Sequence, residues 1–234
     1  IPPMPDDPVK ENYGFEIHVG CDDACQGNFH RWLRREAPEL ADSEPPAPWS
    51  TSGPGDLWLS PYPSEFHQTT YIANETERFI RSQRGESPWL TFCSFVAPHH
   101  PFEAPADQIA RYDGMELPLP EDKGGVQGES IPPRIARAIG ETDAYGPEVQ
   151  RRIVLHYLAS ISLVDDAVGR LVNALRDTGQ LEETLILFVA DHGEFLGNHG
   201  LLRKPSLHYD ETLRVPMILR GAGLRPGLIG GLVE

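Results

Sequence analysis

The sequence predicts an α/β fold with a mostly parallel sheet covered by helices, and three observations carry that reading. Two short apolar runs, residues 89–96 and 184–190, are bounded by breakers and lack polar alternation, as strands buried on both faces do. Each follows a stretch with apolar residues at helical spacing, 69–83 and 147–177, so helix and strand alternate along the chain. A third apolar run, 215–219, comes after a turn-rich segment and reads as a further strand.

The elements follow in order. Residues 27–35 predict a short amphipathic helix with Phe29, Trp32 and Leu33 on one face. Residues 49–63 are rich in Pro, Gly and Ser and read as an ordered loop. In the helix at 69–83, Tyr71, Ile72, Phe79 and Ile80 recur at helical spacing, Thr69 or Thr70 can cap the start, and Gly85 stops it. The run 89–96 lies between Pro88 and Pro98. Residues 102–147 hold only scraps of helix, such as 107–112, and read as a functional or capping loop. Pro147 suits the first turn of a long helix whose stripe runs from Ile153 and Val154 through Ile161 and Val164 to Leu175, with Gly179 as terminator. The strand at 184–190 is expected to be central and covered on both sides.

Composition narrows the function classes. The chain has 234 residues, with Lys+Arg 20 against Asp+Glu 35 and a net charge of −15. No clustered basic surface is visible, which argues against nucleic-acid binding. Hydrophobic residues make up 39% and fall in periodic runs, so wholesale disorder is not expected. No apolar run reaches the roughly 18 residues of a membrane span. Three cysteines do not make a disulfide scaffold. Cys21 and Cys25 have no second pair with which to build a zinc knuckle, and read as a surface or loop pair. The sequon at Asn74 lies inside a helical pattern and reads as chance. The chain begins at Ile1 with no basic segment leading into an apolar one, so no signal peptide is expected in it. Both ends read as cuts through a longer protein, which leaves localisation open, as it does oligomeric state.

Ligands of open α/β sheets sit beyond the carboxyl ends of strands. After Val96 come Ala97-Pro98-His99-His100-Pro101-Phe102, and after Ala190 come Asp191-His192-Gly193-Glu194. Both strand ends thus deliver side chains able to move protons or bind metal, with Gly193 expected to allow a sharp turn. Alone, Asp191-His192-Gly193 reads equally as a turn cap and a loop histidine. Asp165-Asp166 and Glu182-Glu183 read as solvated helix-end charges.

The longer stretch is more specific. It runs Asp191-His192-Gly193-Glu194-Phe195-Leu196-Gly197-Asn198-His199-Gly200-Leu201-Leu202-Arg203-Lys204, then Tyr209, then Arg214-Val215-Pro216-Met217-Ile218. This closely resembles the second half of the sulfatase family, within the alkaline-phosphatase-like superfamily. The helix from Ser162-Leu163-Val164-Asp165-Asp166 to Asp177-Thr178-Gly179 resembles the one that the family places before this strand, and the segment from Ala97 to Phe102 resembles its Pro-His-x-Pro-Phe. Tyr13-Gly14-Phe15 and residues 66–79 also fit, so the resemblance spans most of the chain.

The resemblance implies a three-layer, alkaline-phosphatase-like sandwich, incomplete here, with residues 1–234 as part of a single catalytic domain. It implies hydrolysis of a small-molecule or carbohydrate sulfate ester. Asp191 and His192 match two ligands of a divalent cation, usually calcium, with manganese or zinc also compatible with an imidazole ligand. His99 matches the histidine that protonates or polarises the leaving-group oxygen, and Lys204 the lysine that holds a sulfate oxygen. His100 and His199 are expected to pack or to support other residues. These atoms are expected to gather at one edge of the sheet.

The family's nucleophile is a formylglycine made from a Cys or Ser, with Pro two residues and Arg four residues later, near its amino terminus. Neither Cys21 nor Cys93 has Pro and Arg at those offsets, and the Asp-Asp pair that completes the metal site is not found. The expectation is a chain with half of a sulfatase site, inactive alone and weak for metal. Two alternatives stand: a phosphonate monoester or phosphodiester hydrolase of the same superfamily, and a non-catalytic remnant.

Overall fold

A computed structural model of the chain describes residues 14–20, 27–41, 57–83, 85, 87–120, 146–204, 207–228 and 230. The expectations on Tyr13, Cys21, Cys25, residues 49–56 and 121–145, and both ends of the chain lie outside them.

The longest element is helix α5, Pro147–Asp177, with the bounds that the sequence predicts. At about 1.5 Å per residue its 31 residues reach roughly 46 Å. Pro147 needs no hydrogen-bond partner for its nitrogen in the first turn, and Gly179 takes the left-handed φ of 72° that releases the chain at the other end. Its inward face buries Ile153, Val154, Leu163, Val164, Ala174 and Leu175, while Ile161, placed in the same stripe by the sequence, is 40% exposed.

The other elements are arranged along α5. Its amino-terminal half covers a parallel ladder of β1, Leu57–Leu59, and β2, Phe102–Ala104, with Leu57 opposite Phe102 and Leu59 opposite Ala104. Leu57, Phe102 and Ile153 pack there with Leu202 from the far end of the chain. Two polar contacts fix the helix on the strand: Ser160 Oγ donates to Glu103 O at 2.6 Å, and His156 Nδ1 to Phe102 O at 3.1 Å. Helix α4, Ala106–Ala110, follows β2, and Arg111 just beyond it pairs with Asp166 at 2.6 Å. The loop reading of residues 49–63 is therefore corrected at Leu57–Leu59. Three residues among Pro, Gly and Ser are too few for periodicity, and the pairing that makes them a strand comes from a segment more than forty residues later.

Helix α3, Gln68–Ser82, lies against the carboxyl-terminal half of α5, where Ile80, Ala174, Leu175 and Leu181 are buried with Phe79, Trp89 and Ile186 around them. Its cap is His67, whose Nδ1 accepts from Thr69 N–H at 3.1 Å, rather than Thr69 or Thr70; the Thr70 hydroxyl instead donates to Ser64 O. Helices α1, Gly27–Glu36, and α2, Pro38–Ala41, add an aromatic core that includes Phe29, Leu33, Tyr62 and Tyr71, with Trp32 packed on it.

Two strand expectations need correction. Residues 89–96 form no strand and have no ladder partner among the described residues, and Leu90 and Phe92 are each 77% exposed. The run 184–190 contributes β3, Ile186–Val189, which pairs antiparallel with β4, Met217–Arg220, and is not covered on both sides: Leu187 and Val189 are about half exposed. Continuous apolarity reports that a segment suits a sheet interior; the direction and cover of its neighbours are settled by distant chain, which local sequence does not encode.

Candidate active site

Strand β3 ends at Val189, and Asp191 and His192 leave it directly, so backbone pairing fixes where this pair begins. His192 N–H donates to Asp191 Oδ1 at 3.0 Å, and the two side chains approach to 3.6 Å. The Asp191 side chain is 87% exposed and that of His192 is 32% exposed. The His192 ring is oriented from both sides: Nδ1 donates to Gly193 O at 2.7 Å, and Nε2 accepts from Lys204 Nζ at 2.6 Å. This polarity puts the ring proton on Nδ1 and leaves the Nε2 lone pair to a cation.

Gly193, expected from the sequence to allow a sharp turn, is required here for want of room and is not among the glycines with positive φ. A Cβ there would lie 1.9 Å from the carbonyl oxygen of Glu211, while Gly193 N–H donates to Thr212 O at 2.9 Å. Close approach to helix α6, Asp210–Leu213, demands the glycine.

Lys204 is brought back to His192 by a folded loop. Phe195 N–H bonds Arg203 O at 3.2 Å and Gly197 N–H bonds Leu201 O at 2.8 Å, so the two arms run side by side. Phe195 and Leu201 are buried between them with Leu207 and Tyr209 alongside. Three non-glycine residues of the loop have positive φ: Leu196 at 50°, His199 at 57° and Arg203 at 68°. His199 pairs with Glu211 at 3.3 Å and packs on Phe195 and Tyr209, a structural role.

Glu194 was not assigned a role by the sequence, although it directly follows the strand-end triplet. Burial pushes its carboxyl up, opposed by hydrogen bonds from the backbones of Leu196 and Arg203 and by the charges of His192 and Lys204. Its neighbour Tyr157, on α5, is raised to about 12, first by burial and then by the Glu194 charge.

His99 stands apart from this group. It lies with His100 between two cis peptide bonds, Ala97–Pro98 and His100–Pro101, and the two rings stack at 4.2 Å. Its Nδ1 donates to His100 O at 2.5 Å, leaving Nε2 available. No hydrogen bond or ion pair joins it to Asp191, His192 or Lys204. The backbone nevertheless ties the two segments: Phe102, three residues after His99, and Leu202, two before Lys204, share one apolar cluster.

As metal donors, Asp191 and His192 are two, and no group of three or more His, Cys, Asp or Glu side chains suited to a metal occurs among the described residues. A hard cation such as calcium takes six to eight oxygens, so these two alone are no cage. Ser130-Ile131-Pro132-Pro133-Arg134 carries Ser, Pro and Arg at the nucleophile's offsets, but after His99 in the chain and outside the described residues.

Comparison with known proteins completes the description. The Sulfatase family model matches residues 10–228. The chain is 30% identical over 162 residues to an arylsulfatase of Clostridium perfringens, covering 69% of this chain and 34% of that protein. It is 33% identical over 168 residues to a choline-sulfatase of Rhizobium meliloti, covering 69% and 32%. The crystal structure of a phosphonate monoester hydrolase of Agrobacterium radiobacter superposes with a TM-score of 0.66 at 26% identity, over 82% of this chain and 41% of that one. The α/β fold is thus of the alkaline-phosphatase-like kind, and the chain spans about a third of the length of the two sulfatases.

Proposed function

This chain belongs to the sulfatase family of hydrolases, and from that premise we propose that Asp191, His192, Lys204 and His99 form one side of a sulfuric ester hydrolase site for a small-molecule or carbohydrate sulfate. The observation that carries the reading is the contact of Lys204 Nζ with His192 Nε2 at 2.6 Å, beside an exposed Asp191 carboxylate. In this site Lys204 presents an ammonium to a sulfate oxygen, where its charge counts most as the S–O bond breaks. His99 is placed to give a proton from Nε2 to the leaving oxygen, while the His100 carbonyl holds Nδ1–H and so orients the ring.

Asp191 and His192 are the donors that these residues offer to a divalent cation, which when bound would stabilise negative charge on the sulfate. The Nε2 lone pair of His192 serves either Lys204 or that cation, not both. With a cation held at His192 Nε2, the Lys204 ammonium would be left to face the substrate anion. Neither Cys21 nor Cys93 has Pro and Arg at the family's offsets, and Ser130, which does, follows His99 in the chain instead of preceding it, so the chain by itself binds an aryl sulfate without hydrolysing it.

A phosphonate monoester hydrolase is the second reading, favoured by the fold likeness to such an enzyme. Calorimetric titration of the chain with 4-nitrophenyl sulfate and with an aryl phenylphosphonate, with and without calcium, separates the two. The sulfate is expected to bind more tightly, and Lys204→Ala to weaken it by on the order of 10-fold, the worth of one charge-assisted hydrogen bond. Preference for the phosphonate would favour the second reading. Sulfate binding untouched by Lys204→Ala would remove Lys204 from the site, and rapid release of 4-nitrophenol dependent on Lys204 would overturn the claim that the chain lacks a nucleophile.

A further inference from the structure

We propose that Glu194 is the positioning residue of the site: its carboxylate bonds the two strained turns of the 194–204 loop and so sets the Lys204 ammonium against His192. The proposal rests on the reading above for its chemical meaning, but its geometry stands on contacts within the loop.

Leu196 and Arg203 both adopt left-handed backbone, at φ 50° and 68°. Neither is glycine, and each such residue costs on the order of 1 kcal/mol unless its surroundings impose it. Both donate their backbone N–H to the same acceptor, the Glu194 carboxylate; the bond from Leu196 measures 3.1 Å. One side chain thus closes the start of the loop onto its end. Arg203 directly precedes Lys204, so the hydrogen bond that fixes the Arg203 peptide also fixes the direction in which Lys204 leaves the loop. The Phe195–Arg203 backbone bond lies alongside and keeps the two arms in register.

The carboxylate is well placed to do this and poorly placed to do more. Its hydrogen bonds go to peptides, not toward the exposed Asp191. It also sits two residues from His192, so the order strand end, ring, glycine, carboxylate puts the part that fixes the loop next to the part that the loop must reach. A carboxylate with no such task would be expected at the surface, as Asp191 is.

The test reads the His192 ring without any turnover. In long-range nitrogen–proton NMR of the chain, the Nε2 resonance reports whether Lys204 donates to it. Lys204→Ala gives the signature of the freed lone pair. Glu194→Ala is expected to move Nε2 most of the way to that value, and Glu194→Gln, which keeps one acceptor oxygen, at least half of the way, while circular dichroism remains that of the folded chain. If Glu194→Ala does not fold, Glu194→Gln alone decides. A folded variant with a lowered melting temperature and an unmoved Nε2 resonance would mean that Glu194 is merely structural, and would overturn the proposal. A second arm uses 4-nitrophenyl sulfate as ligand. Glu194→Ala and Lys204→Ala are each expected to lose on the order of 10-fold in affinity, with little further loss in the double variant, because they act through one ammonium. Fully additive losses would overturn the positioning role. Absence of sulfate binding in the unaltered chain would instead remove the hydrolase reading and leave the NMR result to judge Glu194.

Discussion

The two strand ladders of this protein look alike in sequence and live in different surroundings. Leu57-Trp58-Leu59 with Phe102-Glu103-Ala104 lies under α5, and Leu57, Phe102 and Ala104 are buried. Ile186–Val189 with Met217–Arg220 is the more apolar pair, yet Leu187, Val189, Met217 and Ile218 are each at least 44% exposed. Apolar content alone would rank them the other way round. What separates them is cover: the first ladder is fastened to α5 by the hydroxyl of Ser160 and the ring of His156, whereas the second meets α5 through Ile186 and its cluster. Stability is concentrated in the first ladder, and the second carries Asp191 and His192.

The sharpest way to break this contrast is to remove a large side chain from each ladder. Phe102→Ala deletes a ring that is 1% exposed and should cost about 3–5 kcal/mol in urea unfolding. Leu187→Thr, at a site 53% exposed, should stay within about 0.5 kcal/mol. Equal losses would mean that the second ladder is covered in solution.

His67 sharpens the comparison by a smaller amount, because it caps α3 and faces β2. Its Nε2 lies 3.9 Å from Glu103 Oε1. His67→Ala should lose about 1 kcal/mol with the cap. Burial holds the ring below its usual value, against the pull of Glu103 and Asp107. The unfolded chain therefore takes up the proton first, and this contribution to stability is present above about pH 6.5 and lost as pH falls below it. Urea midpoints measured from pH 7 to pH 5 should fall less steeply in His67→Gln than in the unaltered protein; parallel slopes would show that the ring is already solvated.

Ser160→Ala removes the hydroxyl that joins α5 to Glu103 O and should cost about 1 kcal/mol. The smallest effect belongs to the surface pairs that join α3 to α5. Burial pushes the Glu77 carboxyl up, but bonds from Arg81 and Arg170 outweigh this and hold it below its ordinary value. Glu77→Gln should cost at most about 1 kcal/mol and less as salt is raised. A loss that ignores salt would point to packing instead of charge.

These residues also mark what could be read from sequence. α5 was legible to the residue because its signals are local: a proline at the start, a glycine past the end and a stripe between them. The cap of α3 was misplaced because an imidazole nitrogen did the work ordinarily done by the hydroxyl two residues on. β1 is not legible in the sequence, and 89–96 reads as a strand, for one reason: pairing is made by distant chain and leaves no local trace. At the site, the resemblance singles out His99, Asp191, His192 and Lys204; the loop brings Lys204 to His192, and no hydrogen bond or ion pair joins His99 to them. It includes Glu194 in the matched stretch but gives it no role, because its partners are peptide groups that no side-chain pattern displays.

The crowding at Gly193 has a consequence for anyone interpreting inherited or selected variants of this chain. Position 193 offers no atom to a substrate, yet a single added methyl would collide with the Glu211 carbonyl. In a survey of every substitution, alanine there should be as damaging as the loss of Asp191 beside it. Intolerance along this stretch would therefore map two different quantities onto one scale, reactivity at 191 and 192 and sheer lack of room at 193. Folding tells the two apart: alanine at 191 removes a carboxylate and leaves the chain folded, whereas alanine at 193 meets the Glu211 carbonyl and lowers the melting temperature.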